Sequence, residues 1–235
     1  MDFSLFDRRG YPTVSAPQGY DEWAPTYEDT VLELMDVRLL ERLESVGWSQ
    51  IQAAADLACG TGRIGQWMRA RGVLAIDGVD VSEGMLERAR LRGVYRRLVR
   101  SDLGRTSLPG ASYEAVTCVL ADEHLADLAP LYREASRLVS GDGVLVLVSY
   151  HPIFMMTSGM PTHFDRSSGE SVAIETYVHL FGEHVRAARR HGFRLEELEE
   201  AIIDESWLSV KPKWKAFLGR PFSFASVWKP AAPRS

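Results

Sequence analysis

A short apolar run ending in an acid, Ala53-Ala54-Ala55-Asp56-Leu57, leads straight into Ala58-Cys59-Gly60-Thr61-Gly62. No other segment constrains the fold as much. The run reads as a buried strand, and the glycines let the chain reverse into a helix, since glycine accepts positive φ and carries no Cβ. Asp80 and Asp102 follow at strand-plus-helix intervals. That spacing suits one nucleoside-bearing cofactor lying across the carboxyl edge of a parallel sheet. Gly60-x-Gly62-x-x-Gly65 with Asp80 also spells the dinucleotide fingerprint for NAD.

Three features favour S-adenosylmethionine (SAM) over NAD. Asp56, just before the turn, would repel a pyrophosphate but can accept hydrogen bonds from an ammonium group. Asp102, in Val99-Arg100-Ser101-Asp102-Leu103, offers an acceptor for an adenine amine. The chain also has no second nucleotide-binding half for a nicotinamide. With these residues in place, the segment from Ala53 to Val148 resembles the class I SAM-dependent methyltransferase superfamily. Its D-x-A-C-G-T-G turn is most similar to the small-molecule branch that includes ubiquinone- and biotin-pathway enzymes. The resemblance implies a Rossmann-like α/β sandwich. Its seven-stranded sheet is mostly parallel, with one antiparallel strand near the C-terminal edge.

A chain of 235 residues, 46% hydrophobic, can bury a full core as a single α/β domain, 1–235. Its net charge of −5 leaves no electrostatic footprint for nucleic acid. Two basic runs, Arg88 to Arg100 and Lys211, Lys213, Lys215 and Arg220, read as solvated faces. Cys59 and Cys118 have neither metal-ligand spacing nor a disulfide pattern, so no metal is expected and a reducing cytoplasm fits. Acids interrupt the N-terminus where a signal peptide would be apolar, and the run Val144 to Val148 is too short to span a membrane.

Apolar residues at helical spacing predict a helix from Glu28 to Val46, stopped by Gly47. Strands are expected at Ala53–Leu57, Ala75–Val79, Tyr95–Val99, Ala115–Leu120, Val144–Ser149, around Glu199–Ile203 and at Phe222–Trp228. Helices are expected at Arg63–Arg71, Glu83–Arg90 with Ser82 as cap, Asp127–Leu138 and Leu180–His191. Residues 1–27 form an arm over the cofactor. Residues 151–177 form a loop and hairpin inserted above the sheet as a substrate lid, and the tail Pro230–Ser235 frays.

In the cofactor site the turn residues Asp56, Ala58, Cys59, Gly60, Thr61 and Gly62 pass beside SAM. Gly60 and Gly62 leave room for the ligand, and Asp56 faces its ammonium. Asp80 accepts the two ribose hydroxyls. Met85, Val81 and Leu103 pack on the adenine, with Ser101 and Asp102 at its edge and Leu120 at the next strand end. The arm segment Tyr20-Asp21-Glu22-Trp23-Ala24-Pro25-Thr26-Tyr27 is similar to one that closes over the cofactor in many family members, which makes Tyr20 and Tyr27 contact candidates.

The sulfonium methyl is already activated, so the protein mainly aligns an acceptor in line with it, and needs a base only for an acceptor that must lose a proton. Leu120-Ala121-Asp122-Glu123-His124-Leu125 follows the fourth strand, where the resemblance places the methyl group. No Asn/Asp-Pro-Pro-aromatic run or Pro-Cys pair occurs there, which argues against a nucleic-acid base as substrate. Of six histidines, His184 and His191 flank arginines and read as solvated. His151, His163 and His124 are the catalytic candidates. Phe154, Met155, Met156, Met160 and Phe164 suit an apolar or aromatic acceptor. The expected activity is methyl transfer to a small molecule, with oxygen ahead of nitrogen and carbon. The alternatives are a protein or tRNA methyltransferase, or a SAM-binding protein without transfer.

Overall fold

A computed structural model describes residues 1–231. The arm carries β1 (Thr13–Val14) and α1 (Ala16–Trp23), and α2 (Val37–Leu40) follows. The chain then alternates through β2 (Ala53–Leu57), α3 (Arg63–Ala70), β3 (Ala75–Asp80), α4 (Glu83–Arg92) and β4 (Arg97–Arg100). Next come β5 (Tyr113–Val119), α5 (Ala129–Leu138) and β6 (Val139–Tyr150). The insertion holds α6 (Pro152–Ser158), β7 (His163–Asp165) and β8 (Ser171–Ile174). Last are α7 (Phe181–Arg190), β9 (Phe193–Ile202), α8 (Glu205–Val210) and β10 (Pro221–Pro230).

The main sheet has seven strands in the order β4-β3-β2-β5-β6-β10-β9. Strands β2 to β6 pair in parallel, and β10 runs antiparallel to both β6 and β9. This is the sheet that the resemblance implies. Its central strands are buried on both faces, while the edge strands β4 and β9 are partly exposed. In β6, Val144, Val146 and Val148 enter the core with Trp207 and Phe222, whereas Leu145 and Leu147 enter the opposite core with Tyr132 and Trp228. Each such fully buried side chain contributes roughly 1.5–3 kcal/mol relative to exposure.

The helix expected from Glu28 to Val46 does not form. Single 3₁₀ turns at Tyr27–Asp29 and Glu33–Met35 precede the four-residue α2. Asp36 leaves helical geometry at φ −140° and accepts a hydrogen bond from the Val37 amide, which starts a new helix. Leu39, Leu40 and Leu43 still reach the core, so the burial that produced the helical pattern is real although the helix is broken. Strands β6 and β9 are longer than expected. Of the tail expected to fray, Pro230 of β10 pairs with Phe193 and the Ala231 amide donates to the Gly192 carbonyl at 2.7 Å, while 232–235 lie outside the described residues.

The insertion contains a helix as well as the expected hairpin, with Ser167-Ser168-Gly169 at the hairpin tip. Strand β8 also pairs in parallel with β1, so arm and insertion share a three-stranded sheet. Trp23, Phe164, Val172 and Ile174 form its buried core.

Candidate functional site

The turn from β2 to α3 is built on left-handed backbone: Ala58 has φ 54°, Gly60 φ 54° and Gly62 φ 87°. A Cβ on Gly60 would meet nothing within 4 Å, so that position opens into free space. On Gly62 it would lie 2.9 Å from the Tyr95 ring, and on Gly65 2.3 Å from the Tyr95 hydroxyl. Those two glycines therefore admit Tyr95, not a ligand.

Asp80 closes β3 beside this turn. Its Oδ2 accepts from the Gly60 amide at 2.8 Å and its Oδ1 from the Ser82 amide at 2.9 Å. Each oxygen keeps a further lone pair. Burial raises the Asp80 pKa, against the three backbone amides that lower it. Asp80 lies on the wall of a cavity of about 240 Å³, together with Ala58, Gly60, Val81, Met85, Ser101, Asp102, Leu103 and Leu120. Tyr20, Tyr27 and His124 close the same cavity from the arm and the end of β5. Asp102 uses Oδ1 to accept from the Gly104 amide at 2.8 Å, so it caps a turn while lining the wall. Leu120 has φ 51°, which puts two of the three positive-φ non-glycine residues, Ala58 and Leu120, on this wall. Backbone strain of this kind concentrates at functional sites.

Asp56, Cys59, Thr61 and Gly62 are not on the wall. Asp56 is buried beneath the turn, where its Oδ2 accepts from Tyr95 Oη at 2.7 Å and its Oδ1 from Thr117 Oγ1 at 2.8 Å. Burial pushes its pKa up to about 6, although both hydroxyls pull the other way. Cys59 is buried, and the Thr61 hydroxyl is buried with no hydrogen-bond partner among the described residues.

The arm is pinned over the cavity. Asp21 Oδ1 accepts from Ser82 Oγ at 2.5 Å and from the Gly84 amide at 2.9 Å, supplying the first turn of α4 with an acid from a distant segment. His124 Nδ1 lies 2.6 Å from the Glu175 carbonyl, which can only accept, so the proton sits on Nδ1. Its Nε2 then accepts from Tyr20 Oη at 2.9 Å. Burial lowers the His124 pKa to about 4, which keeps this tautomer neutral.

A second cavity of about 240 Å³ lies between arm and insertion. Trp23, Tyr150, Phe154, Met160, His163, Phe164 and Phe222 line it, with Lys211 and Lys213. Trp23, on this cavity, and Tyr27, on the first, pack edge to face at 4.9 Å between centroids, so a ring pair divides the two spaces. His163 donates from Nδ1 to the Pro161 carbonyl at 2.8 Å.

His151 lies on neither wall. Its Nδ1 accepts from the Ile153 amide at 3.2 Å as the cap of α6, so Nε2 donates to Glu200 at 2.8 Å. His184 is buried, contrary to the solvated reading. It bonds through Nδ1 to the Tyr132 hydroxyl at 3.0 Å, and burial lowers its pKa to about 3. The helical period turns His184, Ala187 and Ala188 inward while Arg186, Arg189 and Arg190 carry the outer face.

One group that the histidine-centred reading passed over stands out. Glu123 is 2% exposed, and neither carboxyl oxygen has a hydrogen-bond partner among the described residues. Burial raises its pKa, and the Thr162 hydroxyl is its near side-chain donor. Its charge is felt by Tyr20 and Tyr27, on the first cavity, and by Tyr150, on the second. Glu123 is on neither wall, and its Oε1 lies 3.4 Å from Nε2 of His124, which lines the first cavity. A buried polar group without a partner calls for an explanation.

Residues 55–147 match the family model described as a methyltransferase domain. Human methyltransferase-like protein 27 is 38% identical over 109 residues, 43% of this chain and 44% of that protein. The ubiquinone biosynthesis O-methyltransferase of Neisseria meningitidis is 32% identical over 98 residues, 38% of this chain and 40% of that protein. The chain thus spans less than half the length of these two relatives. Among solved structures, an S-adenosylmethionine-dependent methyltransferase from Mesorhizobium loti superposes with a TM-score of 0.64 at 25% identity, covering 85% of this chain and 98% of that one. The fold and the glycine turn define a Rossmann-like methyltransferase domain. Residues 55–147 are a methyltransferase domain of the class I SAM-dependent superfamily, and its cofactor is SAM.

Proposed function

We propose that this chain transfers a methyl group from SAM to a small-molecule hydroxyl acceptor. In this reading the first cavity holds the cofactor and the second holds the acceptor. The adjacency of the two cavities carries it: one is lined by Asp80 and Asp102, the other by rings and thioethers, and the Trp23–Tyr27 ring pair divides them. The fit to the cofactor rests on the open space at Gly60 and the remaining lone pairs of Asp80.

When bound, SAM supplies a methyl group already activated for displacement. Asp80 would take the ribose hydroxyls, Asp102 the adenine amine, and Met85, Val81 and Leu103 the faces of the base. Tyr20, fixed by His124, and Tyr27 would close over it. Glu123 would accept the acceptor's proton, a role suited to a carboxyl whose burial raises its basicity. The residues 151–177 would roof the acceptor, and rings of the arm must part for the two spaces to join. The relative named an O-methyltransferase supports oxygen as the receiving atom.

Among the described residues no helix is long and apolar enough to cross a membrane, and no three His, Cys, Asp or Glu side chains gather as a metal site. Cys59 and Cys118 are buried free thiols, which supports a reducing cytoplasmic setting. Calorimetry with SAM, followed by a methyl-release screen over small hydroxy and amino compounds, tests the proposal. SAM binding with turnover on hydroxy compounds is expected. Turnover confined to protein or tRNA would sink it.

A further inference from the structure

Lys211 and Lys213 reach the second cavity, and neither forms an ion pair among the described residues. Lys211 is half-buried, with its Nζ 5.0 Å from the centroid of the Trp214 ring, and Lys213 stands two residues on. Burial and the charge of Lys213 both lower the Lys211 pKa, and no carboxylate acts against them. Elsewhere the chain pairs its partly buried cations: Lys229 meets Glu196 at 2.9 Å, and Arg166 meets Glu22 and Glu170, each at 2.8 Å. The cavity's one acid is Asp165, whose Oδ1 accepts from Ser171 at 2.6 Å within the lid.

The rest of the cavity is ring surface. Phe154 packs on Phe222 at 4.7 Å and on Trp214 at 5.7 Å between centroids. Rings of this kind bind a flat apolar body, while a half-buried ammonium without a counter-ion gains most from an anion brought to it. From this pairing we infer that the cavity takes a flat, apolar molecule bearing a carboxylate, whose anionic group is held by Lys211 and Lys213. The inference rests on the reading of this cavity as the acceptor chamber and adds the charge of the acceptor to it. Placing the carboxylate at the lysines leaves the opposite end of the molecule free to carry the hydroxyl.

Calorimetry of the full chain with 6-hydroxy-2-naphthoate and with its neutral methyl ester tests this without any methyl transfer. The acid is expected to bind at least tenfold more tightly than the ester, with the gap narrowing as salt rises. The double variant Lys211→Met/Lys213→Met keeps the apolar stems and should bind acid and ester alike. Equal binding of the two probes by the parent, no binding of the acid, or a preference that survives in the double variant would each overturn the inference. SAM titration of the same samples separates the two readings. Anion preference without SAM binding would overturn the transfer proposal alone, and SAM binding without anion preference would overturn this inference alone.

Discussion

Tyr95 donates its hydroxyl proton to Asp56 across 2.7 Å, and its ring fills the space that the missing side chains of Gly62 and Gly65 leave open. The acid at the end of the first core strand is thus a buried strut beneath the glycine turn. Burial sets its pKa at about 6, above the ordinary 3.8. The folded state then binds more protons than the unfolded chain between these values, so the stability that protonated Asp56 contributes is present below pH 4 and lost as pH rises through 6. Asp56→Asn removes that loss. Thermal melts should show the parent losing about 2–3 kcal/mol more than the variant between pH 4 and pH 7. SAM affinity should stay within a few-fold, and its disappearance would return Asp56 to the cofactor.

The glycines divide by what their missing Cβ would touch. Gly65→Ala drives a methyl into the Tyr95 ring and should cost about 1–3 kcal/mol in urea unfolding, with SAM affinity little changed. Gly60→Ala meets no protein atom and costs about 1–2 kcal/mol for its left-handed backbone, but places a methyl in the open space of the turn. It should weaken SAM binding at least tenfold. The reverse pattern of affinities would contradict the division.

His151 caps α6 and ties it to β9 through Glu200. His151→Ala should lower stability by about 0.5–2 kcal/mol, and His151→Asn should recover most of it, since asparagine also caps helices. Turnover of folded variants should stay within a few-fold of the parent. A hundredfold drop in both would make His151 catalytic.

Legibility in the sequence follows the range of the physics. Buried strands such as Ala53–Leu57 and Val144–Ser149, with the turn that joins strand to helix, could be read locally because burial on both faces leaves an apolar run. The hydrogen bond from Tyr95 to Asp56 spans 39 positions, and nothing near either residue announces it. The helix expected at Glu28–Val46 failed for a related reason. Leu39 and Leu40 are buried by their tertiary setting, which mimics a helical period, while Asp36 breaks the backbone locally. Arm and insertion meet through β1, only two residues long and too short to have a pattern. The arginines beside His184 point to a solvated face, whereas the helical period places it inward. Glu123 stood in the right segment, but being without a partner is a property of three-dimensional surroundings.

Glu123→Gln keeps the shape and removes the charge. If Glu123 accepts the acceptor's proton, turnover should fall about 10²–10⁴-fold with SAM affinity unchanged. In the parent, turnover should rise with pH through a limb displaced above the ordinary glutamate value of 4.5, because burial favours the protonated acid. The variant should lack that limb. Full activity in Glu123→Gln would leave alignment alone as the source of catalysis.

Asp80, held by the Gly60 and Ser82 amides, is proposed to read the ribose of SAM. Calorimetric titration of SAM into the parent and into Asp80→Ala, both shown to be folded by circular dichroism, tests it most directly. Tight binding to the parent is expected, with a loss of about 1.5–3 kcal/mol in the variant, the worth of hydrogen bonds to a charged group. Equal SAM affinity in the two proteins, or tight competitive binding of NADH to the parent, would contradict it.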